Sequence, residues 1–437
     1  MARKDSPMII GVQDHAAYLA SDVPAILKYT RHVYYIGNME IGKLEKGKVT
    51  FYNLDGEEIE KELVEIKWDA KAAEKGGFEH FMMKEIHEQP KAVADTLHSV
   101  VKDGSIDLSA VGLTKEDIQS ISQIYIVACG SAWHVGMVAQ YVIEDLAKIP
   151  VRVELASEFR YRKPLLDKNG LVILISQSGE TADTLAALRE AKNRQVKTLA
   201  IVNVVGSSIA READNVFYTL AGPEISVATT KAYSAQLIAI YTLALQFAKE
   251  RNEIEMPEYE KLIKELDTLP DKIQEVIDNQ EEIQKFAAKQ AAAKDVFFIG
   301  RGIDYAVSLE GSLKLKEISY IHSEAYAAGE LKHGTISLIE DGTLVIGVLT
   351  QDELYEKTIS NMVECKSRGA YLMGLTTYGN YTVEDTAKFT VYVPKTDAHF
   401  MASLAVVPLQ MLGYYVSVAK GLDVDKPRNL AKSVTVE

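Results

Sequence analysis

The hydrophobic pattern is clearest at residues 171–181, where five consecutive apolar positions are followed at once by polar ones. The apolar run at residues 171–175 is typical of a strand buried on both faces of a parallel sheet. Residues 182–189 then favour a helix, with Leu185 and Leu188 on one face. The pattern predicts a strand, a short polar loop and a helix.

The loop itself has the groups that bind a phosphate. A helix start offers unpaired N–H groups and a partial positive charge, and Ser176, Ser178 and Thr181 add hydroxyl groups. Gly179 leaves room for a ligand to come close. The loop lacks the lysine of a nucleotide P-loop, so a sugar phosphate fits it better. Spacing alone leaves open the alternative of an ordinary capped turn.

Strands and helices alternate over residues 101–250. Residues 124–128 predict a buried strand, 129–132 a loop and 133–146 a helix, and further strands follow. Such alternation indicates a doubly wound parallel sheet, whose ligands lie beyond the carboxyl ends of the strands. The loops at 129–132 and 176–181 both end strands, so we expect them to meet at one ligand.

The second half of the chain repeats this pattern. Residues 295–302 are similar to 123–130, and residues 344–351 are similar to 171–177. Asp352 and Glu353 stand where the first half has Ser178 and Gly179, and two carboxylates repel a phosphate. We therefore expect the second half to keep the fold and to lack that phosphate site.

The amino-terminal 70 residues differ from both halves. Short apolar segments and an Asp55-Gly56 turn signal predict antiparallel β structure. Residues 71–100 are charged and helical, which is typical of a linker. Residues 257–294 predict one or two charged helices interrupted at Pro270, which separate the two halves.

Composition narrows the class of protein. A net charge of −14 over 437 residues argues against nucleic acid or an anionic membrane as partner. Two cysteines, Cys129 and Cys365, are too few for a disulfide framework or a metal cluster, and no metal-ligand cluster is evident. The start has no signal-peptide core and no apolar run reaches membrane-spanning length, so we expect a cytoplasmic protein.

Several side chains are candidates for acid–base or covalent chemistry. Residues 305–321 predict a helix with Glu310, Lys314 and Glu317 on one face, either as a solvated salt-bridge ladder or at the edge of a buried site. His333, next to a glycine, has the chemistry of an acid or base, although a lone histidine is more often structural. Spacing alone gives Lys432, in the tail, little claim to catalysis, since tails are usually frayed.

Three further side chains are interpreted as structural. They are His134, His322 and Cys129. The thiol of Cys129 follows a strand and precedes a helix, a position that can activate a cysteine, but the residue is equally suited to a small buried apolar role, which we favour.

Four segments together resemble the isomerase part of the glucosamine-6-phosphate synthase family, the glutamine–fructose-6-phosphate aminotransferases (isomerising). They are SQSGETADT at 176–184, LKLKEISYIH at 313–322, GELKHG at 329–334 and PRNLAKSVTVE at 427–437. The resemblance runs over nearly the whole chain. It implies an α/β fold with two doubly wound parallel-sheet sugar-isomerase (SIS) domains behind a small antiparallel β remnant of a glutaminase domain.

The resemblance also implies domain limits. These are the remnant at 1–70, a linker at 71–100, the first sugar-isomerase domain at 101–250, a helical linker at 251–284, the second domain at 285–418 and a catalytic tail at 419–437.

The resemblance assigns roles to the candidate residues. Glu317 is expected to move a proton between C1 and C2 of fructose 6-phosphate, with Lys314 assisting. Lys432 is expected to form a Schiff base with the C2 carbonyl. His333 is expected to open the sugar ring from a neighbouring subunit, which implies a homodimer. No metal or other cofactor is implied. The substrate-binding residues implied are Ser131, Ser176, Gln177, Ser178, Thr181, Val227, Thr229 and Ala431, with Lys231 nearby.

Two departures from the family pattern limit the expectation. Ala132 stands where the family usually has a phosphate-binding serine. The family's glutaminase domain uses an amino-terminal cysteine, and neither cysteine here lies in the first hundred residues. We therefore expect sugar-phosphate isomerisation without glutamine hydrolysis. The alternatives are a phosphosugar-binding sensor without catalysis, a related isomerase or deglycase, and an inert fragment.

Overall fold

The computed structural model describes residues 1–4, 8–21, 23–27, 29–46, 48–66 and 74–436. The predicted boundary at residue 70 lies outside the described residues. The amino-terminal region forms two four-stranded antiparallel sheets, ordered β1-β5-β6-β7 and β3-β2-β4-β8. Its elements are β1 (Ala2–Arg3), β2 (Ile9–Gln13), β3 (Ala16–Ala20), α1 (Val23–Ile26), β4 (His32–Tyr35), β5 (Glu40–Glu45), β6 (Lys48–Tyr52), β7 (Glu58–Ile59) and β8 (Val64–Glu65). The prediction of antiparallel β structure is confirmed.

This β region is docked on the domain that follows it. The buried side chain of Arg3 donates to Ser208 Oγ at 3.0 Å, and Tyr35 Oη donates to the carbonyl of Val205. Ile9 and Val204 belong to one small apolar cluster, which joins the two parts. The amino-terminal strands thereby cover one side of the loops described below.

The segment predicted as a linker is part of the core. It forms α2 (Phe81–His87) and α3 (Gln89–Val100), which are separated by the single residue Glu88. The apolar residues of both helices belong to the largest hydrophobic cluster of the protein. The hairpin β9 (Val101–Lys102) and β10 (Ser105–Ile106) and the short helix α4 (Lys115–Ser120) lead into the first parallel sheet.

The first α/β domain has a five-stranded parallel sheet in the order β12-β11-β13-β14-β15. Strand β13 is buried at every position, as its run of apolar residues predicts. The strands and helices are β11 (Ile124–Ala128), α5 (Gly130–Ala147), β12 (Val151–Leu155), α6 (Ala156–Phe159), β13 (Leu171–Ser176), α7 (Ala182–Asn193), β14 (Lys197–Val202), α8 (Ser208–Glu212), β15 (Asn215–Tyr218) and α9 (Lys231–Glu250). Helix α5 begins at Gly130 rather than at 133, so most of the predicted loop is the first helical turn.

Three helices connect the two sheets: α10 (Met256–Asp267), α11 (Leu269–Asp278) and α12 (Glu281–Gln290). Helix α10 ends at Asp267 and α11 begins at Leu269, so the break between them lies at Thr268, just before the predicted position. Pro270 lies in the first turn of α11. There the proline has no hydrogen bond to lose, since the first N–H groups of a helix have no intrahelical partner.

The second domain repeats the topology of the first, with the parallel order β17-β16-β18-β19-β20. Its elements are β16 (Asp295–Gly300), α13 (Ile303–Ser319), β17 (His322–Ala327), β18 (Leu344–Leu349), α14 (Tyr355–Lys366), β19 (Tyr371–Thr377), β20 (Phe389–Val393) and α15 (Ala402–Ala419). Short 3₁₀ helices lie at Ser109–Val111, Glu330–His333, Thr335–Leu338, Asp352–Leu354, Tyr381–Asp385 and Ala398–Phe400. The predicted internal repeat and α/β fold class are confirmed.

Helix α15 corrects one expectation. Together with the residues before it, it is long and apolar enough to cross a membrane by length and composition. In the protein, 89% of the most apolar 18-residue stretch of this segment is buried. It packs on α13, α12 and α11 and contributes to the core that joins the two domains.

Candidate active site

A cavity of about 270 Å³ opens at the carboxyl ends of β11 and β13. In the order 2-1-3-4-5 these central strands form the switch point of the sheet, which is where doubly wound proteins bind ligands. The cavity is lined by four parts of the chain that are distant in sequence: the loops after the two strands, the segment leading into α9, helix α13 and the carboxyl-terminal tail. The lining includes Ser131, Ala132, Ser176, Gln177, Ser178, Thr181, Val227, Thr229, Gln236, Lys314, Glu317, Ala431, Lys432 and Ser433.

The hydroxyl-rich loop is held by hydrogen bonds among its own residues. The hydroxyls of Ser176 and Thr181 lie 2.9 Å apart, and the N–H of Gly179 donates to Ser176 Oγ at 3.0 Å. The N–H of Glu180 donates to Ser178 Oγ at 3.1 Å. The loop therefore has a fixed shape, with its hydroxyl groups arranged at the start of α7.

Gly179 is required by the loop for a reason that differs from the prediction. Its φ is +66°, a conformation that side chains other than glycine rarely adopt. A Cβ atom at this position would lie within 2.5 Å of Ser207 Cβ. The glycine therefore makes room for a neighbouring loop of the protein rather than for the ligand.

Replacing Gly179 by alanine should destabilise the first domain by about 2–4 kcal/mol, because backbone strain and overpacking add. Thermal unfolding followed by calorimetry measures the loss. Gly104→Ala is the matched control, because Gly104 has φ +73° and a Cβ there would meet no atom within 4 Å. The control should lose only about 1–2 kcal/mol, and equal losses in both variants would contradict the role of Ser207.

The carboxyl-terminal tail lies across this loop and is ordered. Lys432 Nζ donates to Glu224 Oε2 at 2.5 Å, and the hydroxyls of Ser433 and Ser178 lie 2.9 Å apart. The N–H of Ala182, at the start of α7, donates to the carbonyl of Val434. The expectation of a frayed tail is wrong, because these contacts fix Lys432 at the cavity.

A second anchor holds the tail at its base. The carboxylate of Asp425 accepts the N–H groups of Phe81 and Met82 at the start of α2, each at 2.9 Å. The carbonyl of Asp425 accepts the N–H of Val227. The tail, helix α2 and the cavity-lining segment at 227–229 are thus joined.

Glu224 is the partner of Lys432 and is completely buried. It also accepts from the Thr229 hydroxyl at 2.6 Å and from the N–H of Thr230. Burial acts to raise the pKa of Glu224, but the charge of Lys432 and these hydrogen bonds outweigh it and hold the pKa below its ordinary value. Glu224 is therefore ionised and holds Lys432 in place.

Glu85, from α2, is a second buried carboxyl group behind Glu224. Its Oε1 accepts the N–H groups of Ile225 and Ser226. Burial and the charge of Glu224 raise the pKa of Glu85 above its ordinary value. The pKa values of the two carboxyl groups shift in opposite directions, because Lys432 and the hydrogen bonds compensate Glu224 directly, whereas burial and the charge of Glu224 dominate at Glu85.

The charged face of α13 is buried rather than solvated. Lys314 Nζ lies 2.7 Å from Glu317 Oε2 and 3.4 Å from Glu310 Oε1. The side chains of Glu310 and Lys314 are at most 1% exposed, whereas that of Glu317 is 22% exposed and reaches the cavity. The salt-bridge ladder on the surface is therefore excluded, and the interpretation as the border of a buried site holds.

Not all candidate residues meet in the cavity. His333 is exposed, in the 3₁₀ helix Glu330–His333, and lies outside the cavity lining. Lys231 is buried and paired with Glu88 at 2.6 Å. Ser131 lines the cavity, but its hydroxyl donates to Glu310 Oε1 at 2.9 Å. The two roles predicted for His333 and Ser131 stay predictions.

Comparison with known proteins agrees with this architecture. The SIS domain family matches residues 117–246 and 291–420. Glutamine–fructose-6-phosphate aminotransferase [isomerizing] from Caldanaerobacter subterraneus subsp. tengcongensis is 56% identical over 437 residues, which cover 100% of this chain and 72% of the relative. The chain belongs to the glutamine–fructose-6-phosphate aminotransferase (isomerizing) family.

Other members and structures extend the comparison. The aminotransferase of Clostridium acetobutylicum is 56% identical over 436 residues, with the same shares of both chains. The C-terminal domain of glucosamine-fructose-6-phosphate aminotransferase from Francisella tularensis superposes with a TM-score of 0.78 at 39% identity, covering 81% of this chain and all of that one. Glucosamine-6-phosphate deaminase from Thermotoga maritima gives 0.63 at 25% identity, with 81% and 99% covered. The family resemblance drawn from the sequence is confirmed.

In this member of the aminotransferase family, the end of β18 in the second domain is equivalent to the end of β13 in the first. An aspartate side chain contacts the backbone there. Asp304, in the first turn of α13, is buried and accepts the N–H groups of Thr350 and Gln351 and the Thr350 hydroxyl. Burial raises the pKa of Asp304 to about 6. A carboxyl group of the chain itself thus accepts the hydrogen bonds at this strand end, whereas Asp352 and Glu353, the residues predicted to exclude a phosphate, are exposed.

The surroundings of Cys129 bear on thiol chemistry, and the arrangement of His, Cys, Asp and Glu side chains bears on metal binding. Burial raises the pKa of the half-buried Cys129 thiol, as its apolar interpretation requires. Within the described part of the chain, no group of three or more His, Cys, Asp or Glu side chains is arranged to hold a metal ion.

Sequence reasoning missed Glu224, Glu85 and the contact made by His134. Glu224 does follow the carboxyl end of β15, and polar residues after the strands of a doubly wound sheet are candidates for its ligand site. Glu85 lies inside a helix of charged appearance, and no local pattern marks it.

Proposed function

We propose that this chain binds fructose 6-phosphate in the cavity and isomerises it, as the isomerase part of an enzyme that makes glucosamine 6-phosphate with ammonia from glutamine. The supporting observation is that the hydroxyl-rich loop at 176–181, Lys432 and Glu317 line one cavity. A phosphate-binding loop, an amine and a carboxylate are the three groups that this reaction requires. The names of the relatives point to the same substrate.

The phosphate is proposed to bind at the start of α7. Ser176, Ser178 and Thr181 supply hydroxyl groups there, and the first turn of the helix supplies N–H groups and a partial positive charge. Gln177 and Ser131 line the same end of the cavity. With the phosphate at this end, the sugar extends towards Val227, Thr229 and Ala431.

Lys432 is the proposed covalent group. Its amine, once neutral, attacks C2 of the open-chain sugar, and loss of water gives a Schiff base. Before this attack the ammonium must release a proton, and the carboxylate of Glu224, 2.5 Å from Nζ, is the base in contact with it. Once the Schiff base has formed, water or ammonia displaces Lys432 from C2, and the carbonyl or imine that is left at C2 acidifies the C1 proton.

Glu317 is the proposed carrier of that proton. Its carboxylate takes the proton from C1 and returns it at C2, so that C1 becomes the aldehyde of an aldose and the carbonyl or imine at C2 becomes an alcohol or an amine. Lys314 Nζ lies 2.7 Å from Glu317 Oε2 and holds this carboxylate at the edge of the cavity. The reaction includes no net oxidation or reduction, so the proposal needs neither a metal nor a redox cofactor.

The exposed position of His333 supports a dimer in which this histidine enters the cavity of the neighbouring subunit to open the ring. Mixing two inactive variants, His333→Ala and Glu317→Gln, should then restore activity. Random pairing gives about a quarter of the wild-type activity, because half of the dimers are mixed and each mixed dimer has one intact site. The readout is glucose 6-phosphate formation after co-expression. Activity no higher than that of either variant alone would contradict the shared site.

Glutamine hydrolysis is not part of this proposal. Burial raises the pKa of both Cys129 and Cys365, so neither thiol has the environment of a nucleophilic thiolate. We further propose that the protein acts in the cytoplasm, where its substrate class is found.

The deciding experiment incubates the purified chain with fructose 6-phosphate, alone, with glutamine or with ammonium, and assays glucose 6-phosphate and glucosamine 6-phosphate. The expected result is glucose 6-phosphate without glutamine-dependent amination. Glucosamine 6-phosphate formed from glutamine would contradict the assignment of the cysteines. Binding without any product would favour a phosphosugar sensor.

A further inference from the structure

A pair of buried side chains connects the two sugar-isomerase domains beside the cavity. His134 Nδ1, on α5 of the first domain, lies 2.7 Å from Glu310 Oε2, on α13 of the second. Glu310 is completely buried and His134 is 7% exposed. A carboxylate only accepts hydrogen bonds, so Nδ1 of His134 carries the proton and donates it.

The other oxygen of Glu310 accepts one hydrogen bond and lies near an ammonium group. Ser131 Oγ donates to Oε1 at 2.9 Å, and Lys314 Nζ lies 3.4 Å from the same atom. Burial acts to raise the pKa of Glu310, but Lys314 and the hydrogen bond from His134 lower it below its ordinary value. Glu310 is therefore ionised, and His134 is one of the groups that keep it so.

Lys314 is shared between two carboxylates. It lies 2.7 Å from Glu317 and 3.4 Å from Glu310, so the shorter contact goes to the proposed proton carrier. The carboxylate of Glu224 also acts on Lys314 electrostatically, and the hydroxyl of Tyr233, on α9, is within the field of Glu310. These groups, with Ser131 and His134, are the polar and charged neighbours that set the balance.

We propose that His134 is a positioning residue of the active site: by holding Glu310 across the domain boundary, it leaves Lys314 in contact with Glu317. Without this donor, Glu310 depends on Lys314 for compensation and draws the ammonium away from Glu317. The proposal rests on the proposed function, because it assigns the consequence to the proton-transfer step. Ser131, on the same helix as His134, links the cavity lining to this contact.

The test compares His134→Leu with His134→Asn. The Nδ2 amide of asparagine occupies nearly the place of Nδ1 of histidine and can donate the same hydrogen bond, whereas leucine cannot. The matched control is His322→Leu, because His322 is exposed and pairs with Asp295 on the surface of the second domain. Steady-state isomerisation of fructose 6-phosphate is measured from pH 5 to 9.

We expect His134→Leu to lower kcat by about 10- to 100-fold, part of the factor that acid–base catalysis contributes, with KM nearly unchanged. His134→Asn should recover kcat to within about threefold, a difference below 1 kcal/mol. An unchanged kcat in His134→Leu, or an asparagine variant as impaired as the leucine variant, would overturn the proposal.

A second measurement does not depend on turnover or on the folding of the leucine variant. Imidazole ¹⁵N spectra of the wild-type chain, which has nine histidines, should show His134 with a protonated Nδ1, and Glu310→Gln should change this signal. A His134 protonated only at Nε2 would overturn the contact itself. If the signal is as expected and the wild-type chain has no isomerase activity, the proposed function fails and the positioning contact stands.

Discussion

Replacing Lys432 by alanine should abolish isomerisation, with turnover lower by at least ~10³-fold, because no neighbouring amine can take over the Schiff base. Lys231 is held by Glu88 at 2.6 Å and does not line the cavity, and Lys314, which does line it, is buried between Glu310 and Glu317. Formation of glucose 6-phosphate measures the loss, and borohydride reduction in the presence of fructose 6-phosphate should label the wild-type chain alone.

Two variants control for the charge and for the tail. Lys432→Arg keeps a cation beside buried Glu224 and should fold as the wild type does, yet it should be equally inactive. Lys426→Ala changes an exposed lysine of the same tail and should keep activity. Substantial turnover in Lys432→Arg would mean that the charge, and not the amine, is what the reaction needs.

The second large effect is expected for Glu317→Gln, which should lower kcat by about 10²- to 10⁴-fold. Glutamine has nearly the shape of glutamate but cannot accept the C1 proton. The phosphate-binding loop is untouched, so binding of fructose 6-phosphate should persist. Exchange of the C1 proton for deuterium from deuterated water, followed by NMR, measures the proton transfer separately from the other steps of the reaction.

The matched control is Glu340→Gln, an exposed carboxylate of the same domain. It should exchange the C1 proton at the wild-type rate. Exchange in Glu317→Gln at that same rate would assign the proton transfer to another group and would exclude Glu317 as its carrier.

Local patterns predicted much of the fold and part of the site. The strand, loop and helix at residues 171–189 and the shared face of Glu310, Lys314 and Glu317 depend on neighbours within one or two turns, so periodicity reveals them. The doubled α/β topology followed from the repetition of the same pattern. These are features that a short window of sequence contains.

Contacts between distant segments were outside the reach of such patterns. Lys432 meets Glu224 across 208 positions, and His134 meets Glu310 across 176. The interpretation of Gly179 as room for a ligand was wrong for the same reason, because Ser207 comes from another loop. Whether a charged face is solvated or buried also depends on the helix that covers it, and α5 covers α13.

The buried contact of Glu310 with donors from the first domain has a consequence for recombination between related genes. A genetic crossover within the helices between the two sheets would join a first domain from one gene to a second domain from another. If the first domain came from a gene that lacks a donor at the position of His134 or Ser131, the charge of Glu310 would lose part of its compensation. Breaking a buried charge pair costs about 3–5 kcal/mol of folding stability. Recombination should therefore preserve the two domains as one block, with crossovers tolerated only where these donors agree.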